Sequence, residues 1–179
     1  MSVDSVGDPW GPEEALAAAG GASHIHVGAL LRTDFSTETL EALRASAAHV
    51  LIDAQGIVRR AETGPLAKDG EIGGVLRHVT ILKLNEGEAT ALAGGMDVAA
   101  LRALGVPEVV LTLGSRGSLV VTPTTDEVVA AIPVATVDPT GAGDAFAAAY
   151  LWFRSEDIPP SEAAARASRF VATFLSERT

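Results

Sequence analysis

Cysteine is absent from the chain, which excludes disulfides and thiolate metal sites. Aromatic residues are scarce, at 4%. Alanine and valine supply much of the apolar content instead, and such small side chains suit helices packed closely on a sheet. Positive charge is also short: 13 Lys and Arg face 23 Asp and Glu, for a formal net charge of −10. With no lysine–arginine cluster, the electrostatic footprint of a nucleic-acid binder is missing. No apolar run is long enough to span a bilayer. Met1 to Pro9 lacks a basic stretch followed by an apolar one, so no secretory signal is read there. These absences predict a soluble, cytoplasmic protein with neither nucleic-acid nor membrane partners. Internal repeats and low-complexity segments are missing too. What is present is a hydrophobic fraction of 47% and a mean hydropathy of +0.28, the mark of a globular chain. Its 179 residues suffice for one domain, 1–179, with a sizeable core.

Strand and helix signals alternate through most of that length. Ile25 to Leu31 reads as a strand, with His24 and His26 sharing one face. No third metal ligand lies near them, so they read as polar residues at a strand edge. Ser36 or Thr37 caps a helix to about Ala48, and Val50 to Ile52 is a short buried strand ending at Asp53. Asp53, Gln55 and Arg59 then fall at the carboxyl end of a strand, where open parallel sheets bind ligands; a mere turn at Asp53 is the equal alternative. Val79 to Leu84 is the next strand. Asn85 either caps the following helix with Glu88 at its third position, or with Glu88 holds Mg²⁺ waters and phosphate oxygens. Both roles are compatible. Glu108 to Leu113 and Ser118 to Thr122 are strands around Gly114 and Gly117, glycines that permit a tight turn or close approach to a ligand. Glu127 to Ile132 is an edge strand. A last helix from Ser161 to about Ser176 carries an inner stripe of Ala164, Ala167, Phe170, Val171 and Phe174. The pattern predicts an α/β fold, a mostly parallel sheet with helices on both faces.

The stretch Thr136 to Tyr150 is the focus. Pro139 stiffens its entry, Gly141 and Gly143 free the backbone, and a helix follows. A glycine-rich turn opening a helix points unpaired N–H groups and the positive dipole end at one spot, which suits phosphate. Asp144 would repel that phosphate unless it serves to take a proton from an attacking hydroxyl.

Three pieces now stand in a fixed order: Asn85-Glu86-Gly87-Glu88, Thr112-Leu113-Gly114-Ser115-Arg116-Gly117 and Asp138-Pro139-Thr140-Gly141-Ala142-Gly143-Asp144. The set resembles the PfkB (ribokinase-like) family of ATP-dependent carbohydrate kinases. That resemblance implies a Rossmann-like three-layer α/β/α sandwich. It implies Asp144 as the base and the amides of Gly141, Ala142 and Gly143 as an anion hole. Asn85 and Glu88 would organise Mg²⁺ through water. Thr112, Gly114, Gly117 and Thr140 would line the ATP phosphates and ribose, and the last helix would wall the adenine at Ser168, where many members carry asparagine. Ala149 stands where glycine is common, and Lys83 is placed to neutralise phosphate charge. The acceptor would be a sugar, polyol or nucleoside hydroxyl.

Family members are much longer on the N-terminal side, where they carry a sugar-binding segment and lid strands. The expectation is therefore a chain truncated at that side, with exposed sheet edge that invites self-association into a homodimer. Two readings compete: an ATP-dependent kinase or its catalytic half, and a nucleotide-binding module of the same fold without efficient chemistry. No Gly-x-x-x-x-Gly-Lys-Ser/Thr occurs, which disfavours a P-loop kinase, and no early Gly-x-Gly-x-x-Gly supports a dehydrogenase.

Overall fold

Val50, Leu51 and Ile52 are all almost fully buried, which a strand allows only when both faces of its sheet are covered. The computed structural model describes residues 2–135 and 138–177 and shows that arrangement. The elements in order are β1 (Ser2–Val3), α1 (Pro12–Ala19), β2 (His24–Val27), α2 (Thr37–Ser46), β3 (His49–Asp53), α3 (Ala54–Val58), β4 (Gly64–Pro65), β5 (Ile81–Asn85), α4 (Glu86–Ala93), α5 (Val98–Ala103), β6 (Glu108–Thr112), β7 (Ser118–Val121), β8 (Asp126–Val129), α6 (Ala142–Ser155) and α7 (Pro160–Ser176). Six strands form one sheet in the order β2-β3-β5-β6-β7-β8. The first four run parallel, β7 pairs antiparallel with β6, and β8 pairs antiparallel with β7. β1 and β4 pair separately as a short antiparallel ribbon.

Strand residues alternate between two cores. Val50, Ile52, Leu82, Leu84, Val109 and Leu111 face one cluster with residues of α1, α2, α4 and α5. Leu51, Ile81, Val110 and Val120 face the other, against α6 and α7. The result is the expected three-layer sandwich. At about 25 cal/mol per Å², burying each of these aliphatic side chains contributes about 1.5–3 kcal/mol, so the sheet is held from both sides.

Caps set the element boundaries. Ser36 accepts from the Thr39 amide at 3.1 Å and starts α2. Asp53 accepts from the Gln55 amide at 3.1 Å and starts α3, a helix the sequence did not announce. The strand expected from Ile25 to Leu31 ends at Val27. The Asp34 carboxylate accepts from the Leu30 and Leu31 amides at 2.8 and 3.0 Å, and that local turn takes those donors out of strand pairing. The stripe expected on α7 is corrected as well. Its buried residues are Ala163, Ala164, Ala167 and Ala172, and Phe170 is half exposed. Alanines let α7 lie close against α6, and Phe170 falls outside that narrow seam.

Candidate active site

The glycine turn opens α6 as expected, three residues earlier than its run of strong helix formers. Thr136 and Val137, at the start of the focal stretch, lie outside the described residues. Gly141 holds φ 82° as the N-cap residue, a conformation that favours glycine. The Asp138 carboxylate accepts from the Thr140 amide at 3.0 Å and its hydroxyl at 2.6 Å, so Thr140 braces the turn. The Ala142 amide donates to the Pro139 carbonyl at 3.0 Å. The donors this leaves at the helix mouth are the Gly141, Gly143 and Asp144 amides, which have no partner among the described residues. Asp144 is exposed in the first turn of α6. Its carboxylate makes no hydrogen bond or ion pair among the described residues.

Beneath that mouth sits a buried charge pair. Lys83 of β5 and Asp53 of β3 are register partners in the parallel sheet, and their side chains form an ion pair with both groups almost fully buried. A Cβ placed on Gly143 would come within 3.0 Å of the Lys83 ammonium. Only a residue without a side chain leaves that ammonium in place directly under the turn. Sequence reasoning caught Lys83 only as a charge placed to neutralise phosphate. The signal for more was one lysine in the otherwise apolar run Ile81-Leu82-Lys83-Leu84; the Asp53 partnership needs the register.

Asn85 and Glu88 form a full capping box. The Asn85 side-chain oxygen accepts from the Glu88 amide at 3.0 Å, and a Glu88 oxygen accepts from the Asn85 amide at 2.9 Å. The other Glu88 oxygen accepts from the Asn85 side-chain amide at 2.8 Å. Burial pushes the Glu88 carboxyl above its ordinary range, opposed by the Asn85 amide bond and raised further by the Asp53 charge. Both Glu88 oxygens are thus committed within the capping box. Among the described residues no group of three or more His, Cys, Asp or Glu is arranged to hold a metal ion.

A cavity of about 520 Å³ opens on one side of the turn. Thr112, Gly114, Gly117, Ala142, Gly143 and Ser168 all line it. Asn85, Glu88, Thr140 and Asp144 stand outside that lining. Its far wall is apolar, built from Ala131, Ile132, Val134, Val171 and Leu175. Gly117, also in the lining, packs tightly on the neighbouring backbone: at φ 96°, an added Cβ would meet the Val129 carbonyl oxygen at 2.0 Å.

The other side of the turn is different. β2 and β3 pack under α6 there. His26 is the register partner of Leu51, which faces the α6 layer, so His26 faces it too. Its Nε2 is buried and has no hydrogen-bond partner among the described residues. His26 is thus no simple polar edge residue. His24 stacks on His49 with ring centroids 4.9 Å apart. Arg59, singled out from sequence, has a buried Nε without a described partner, and Gln55 donates its amide to Asp53.

Residues 8–178 match the family model described as pfkB family carbohydrate kinase. Among solved structures, a pyrophosphate-dependent kinase of the ribokinase family in a sulfate complex superposes with a TM-score of 0.82 at 22% identity. The overlap covers 96% of this chain and 62% of that one. A pyrophosphate-dependent ribokinase-family kinase complexed with a pyrophosphate analog and myo-inositol gives 0.79 at 22% identity, over 96% and 64%. Arabidopsis thaliana ribokinase complexed with ribose and ATP gives 0.72 at 22% identity, over 95% and 55%. This chain therefore spans less than two thirds of the length of each, and at such identities the likeness speaks for the fold. Among the described residues no helix is long and apolar enough to cross a membrane.

Proposed function

Because the chain belongs to the pfkB carbohydrate kinase family, we propose that it transfers the terminal phosphoryl group of ATP to a hydroxyl of a sugar, polyol or nucleoside. One observation carries this reading: the unpartnered Gly143 and Asp144 amides open α6, the Lys83 ammonium lies against Gly143, and Gly143 lines a cavity with an apolar far wall. The amides and the helix dipole favour negative charge there, and Lys83 adds a full positive charge. The apolar wall suits the flat face of a nucleobase, which supports ATP over bare pyrophosphate as donor.

The chemistry follows from the placement. Asp144 accepts the proton of the acceptor hydroxyl. The freed oxygen forms a bond to the γ-phosphorus as the bond from that phosphorus to the β–γ bridging oxygen breaks, and ADP departs with the electron pair. The Gly143 amide and Lys83 balance charge on the moving group. Gly141 and Thr140 shape the turn that presents it, and the Ala142 amide joins the hole on release from Pro139. Mg²⁺ would be held through water by Asn85 and Glu88 and would offset charge on the nucleotide phosphates. Thr112, Gly114, Gly117 and Ser168 would contact the nucleotide.

The span of the match, 62% of the first relative, favours a second reading: a module that binds ATP without efficient transfer. Both are tested by incubating the chain with ATP or pyrophosphate and, separately, ribose or myo-inositol, and following phosphorylated product. The kinase reading expects product with ATP, and expects Asp144→Asn to lower the rate by about 100- to 10,000-fold with ATP affinity kept. ATP binding without product from either acceptor selects the module, and product from pyrophosphate alone overturns the donor assignment.

A further inference from the structure

Buried polar atoms are normally satisfied, so the orphaned His26 Nε2 calls for a reason. The charged groups acting on His26 come from three elements around it: Asp53 on β3, Lys83 on β5 and Asp144 on α6. Two of these are already committed to each other, in the buried Lys83–Asp53 pair. Lys83 also lies against Gly143, where the proposed reaction puts the phosphoryl group. An anion arriving there draws the ammonium away from Asp53. A buried carboxylate that loses its paired cation is strongly destabilising, so something must take the place of Lys83. His26 stands on the same face of the sheet with one ring nitrogen uncommitted.

We propose that His26 is a positioning residue, taking over Asp53 as a hydrogen-bond partner when Lys83 turns toward the transferring phosphoryl group. This rests on the kinase reading for the identity of the anion, but not for the link between His26 and Asp53. A neutral imidazole has one donor nitrogen and one acceptor nitrogen, so either tautomerisation or protonation equips Nε2 to donate to the carboxylate. The uncommitted nitrogen costs some stability in the resting protein. In return, Lys83 is free to engage phosphate without stranding a buried charge. Burial depresses the basicity of His26 in the resting state, with Asp53 pulling the other way, so the imidazole is neutral and ready to gain a donor proton.

The test follows the His26 imidazole by NMR across pH in the full chain. In Lys83→Met, where Asp53 has lost its cation, the proton affinity of His26 rises about tenfold or more. In Asp53→Asn, which keeps the α3 cap, it falls below that of the parent, and Lys83→Met combined with Asp53→Asn, which strands neither charge, supplies a folded reference should either single variant unfold. In the parent, adding the non-hydrolysable ATP analogue AMP-PNP with Mg²⁺ moves His26 toward the Lys83→Met behaviour. The same addition to Asp53→Asn leaves His26 nearly unmoved. A His26 resonance that ignores Lys83→Met and Asp53→Asn overturns the proposal. So does an equal response to the analogue with and without the Asp53 charge, since that would be phosphate acting on the ring directly. Failure of AMP-PNP to bind the parent sinks the kinase reading instead, and the two variants still decide the His26–Asp53 link. In turnover, His26→Phe lowers kcat more than it raises the ATP KM, and His26→Gln, whose amide can donate to Asp53, recovers much of the loss.

Discussion

Lys83 shows how one residue can serve the fold and the reaction at once. It lies almost fully buried between Asp53 and the turn at Gly143. Removing one partner of such a pair leaves an uncompensated charge and costs about 3–5 kcal/mol, whereas neutralising both is often close to neutral. Lys83→Met is therefore expected to lose about that much stability in urea denaturation. Lys83→Met combined with Asp53→Asn should regain most of it, because Asn keeps the α3 cap and no buried charge remains. Phosphoryl transfer should stay low in both, since neither supplies an ammonium under Gly143. A double variant that regains activity together with stability would show that Lys83 only holds the sheet. This pair also marks how far sequence reading reaches at the scale of a residue. Asp53 was readable as a turn residue or a ligand-edge carboxylate, and Lys83 as a charge near phosphate. Their meeting depends on the register of β3 against β5, which no local pattern encodes.

Among the elements, α6 matters most, because its first turn carries Asp144. Its other end is anchored by a second buried network. Glu108, at the start of β6, accepts from the Tyr150 hydroxyl at 2.7 Å and pairs with the Arg154 guanidinium at 3.1 Å. Arg154 also donates to the Ile158 carbonyl at 2.7 Å, which fixes the turn into α7. Burial raises the Tyr150 phenol well above its ordinary value and the Glu108 charge adds to this, so it remains a donor. Glu108→Ala strands the Arg154 charge and is expected to cost about 3–5 kcal/mol. Tyr150→Phe leaves the ion pair whole and should cost only about 1–3 kcal/mol. Thermal or urea unfolding of the two variants checks that order, and a reversed order would mean the hydroxyl, not the ion pair, anchors the helix. The elements themselves were largely legible. Periodicity and caps gave α2, α4 and α7, and Ser36 and Asn85 are strong N-cap residues. The five-residue α3 was missed because it has no room for a periodic pattern. The ribbon of β1 with β4 was missed because two-residue strands carry no alternation.

Across the whole molecule, the order of strands divides the labour. The antiparallel end, β6 to β8 with α7, builds the apolar cavity, while the parallel strands β2, β3 and β5 bring His26, Asp53 and Lys83 beneath α6. That parallel end concentrates histidines, and it makes stability depend on pH. Burial lowers His26 against the opposing pull of Asp53 and Asp144. Burial also lowers His49, aided by His24, Arg154 and Arg44 and opposed by Glu108. The ordinary value for both is 6.5, so just below that pH the unfolded chain binds protons that the folded chain refuses. Stability is then full above pH 6.5 and falls as the pH drops toward the folded-state values of the two rings. Glu88 acts in the opposite sense. Its carboxyl is raised above 4.5, so the folded chain takes up that proton first and gains stability on acidification between its folded value and 4.5. Denaturation midpoints measured from pH 7.5 downward should therefore begin to fall near pH 6.5, before ordinary carboxylates titrate. His26→Gln should flatten that early decline in part, and His26→Gln with His49→Gln should flatten it further. An early decline unchanged by both substitutions would move its origin away from the β2–β3 edge and into the carboxylates.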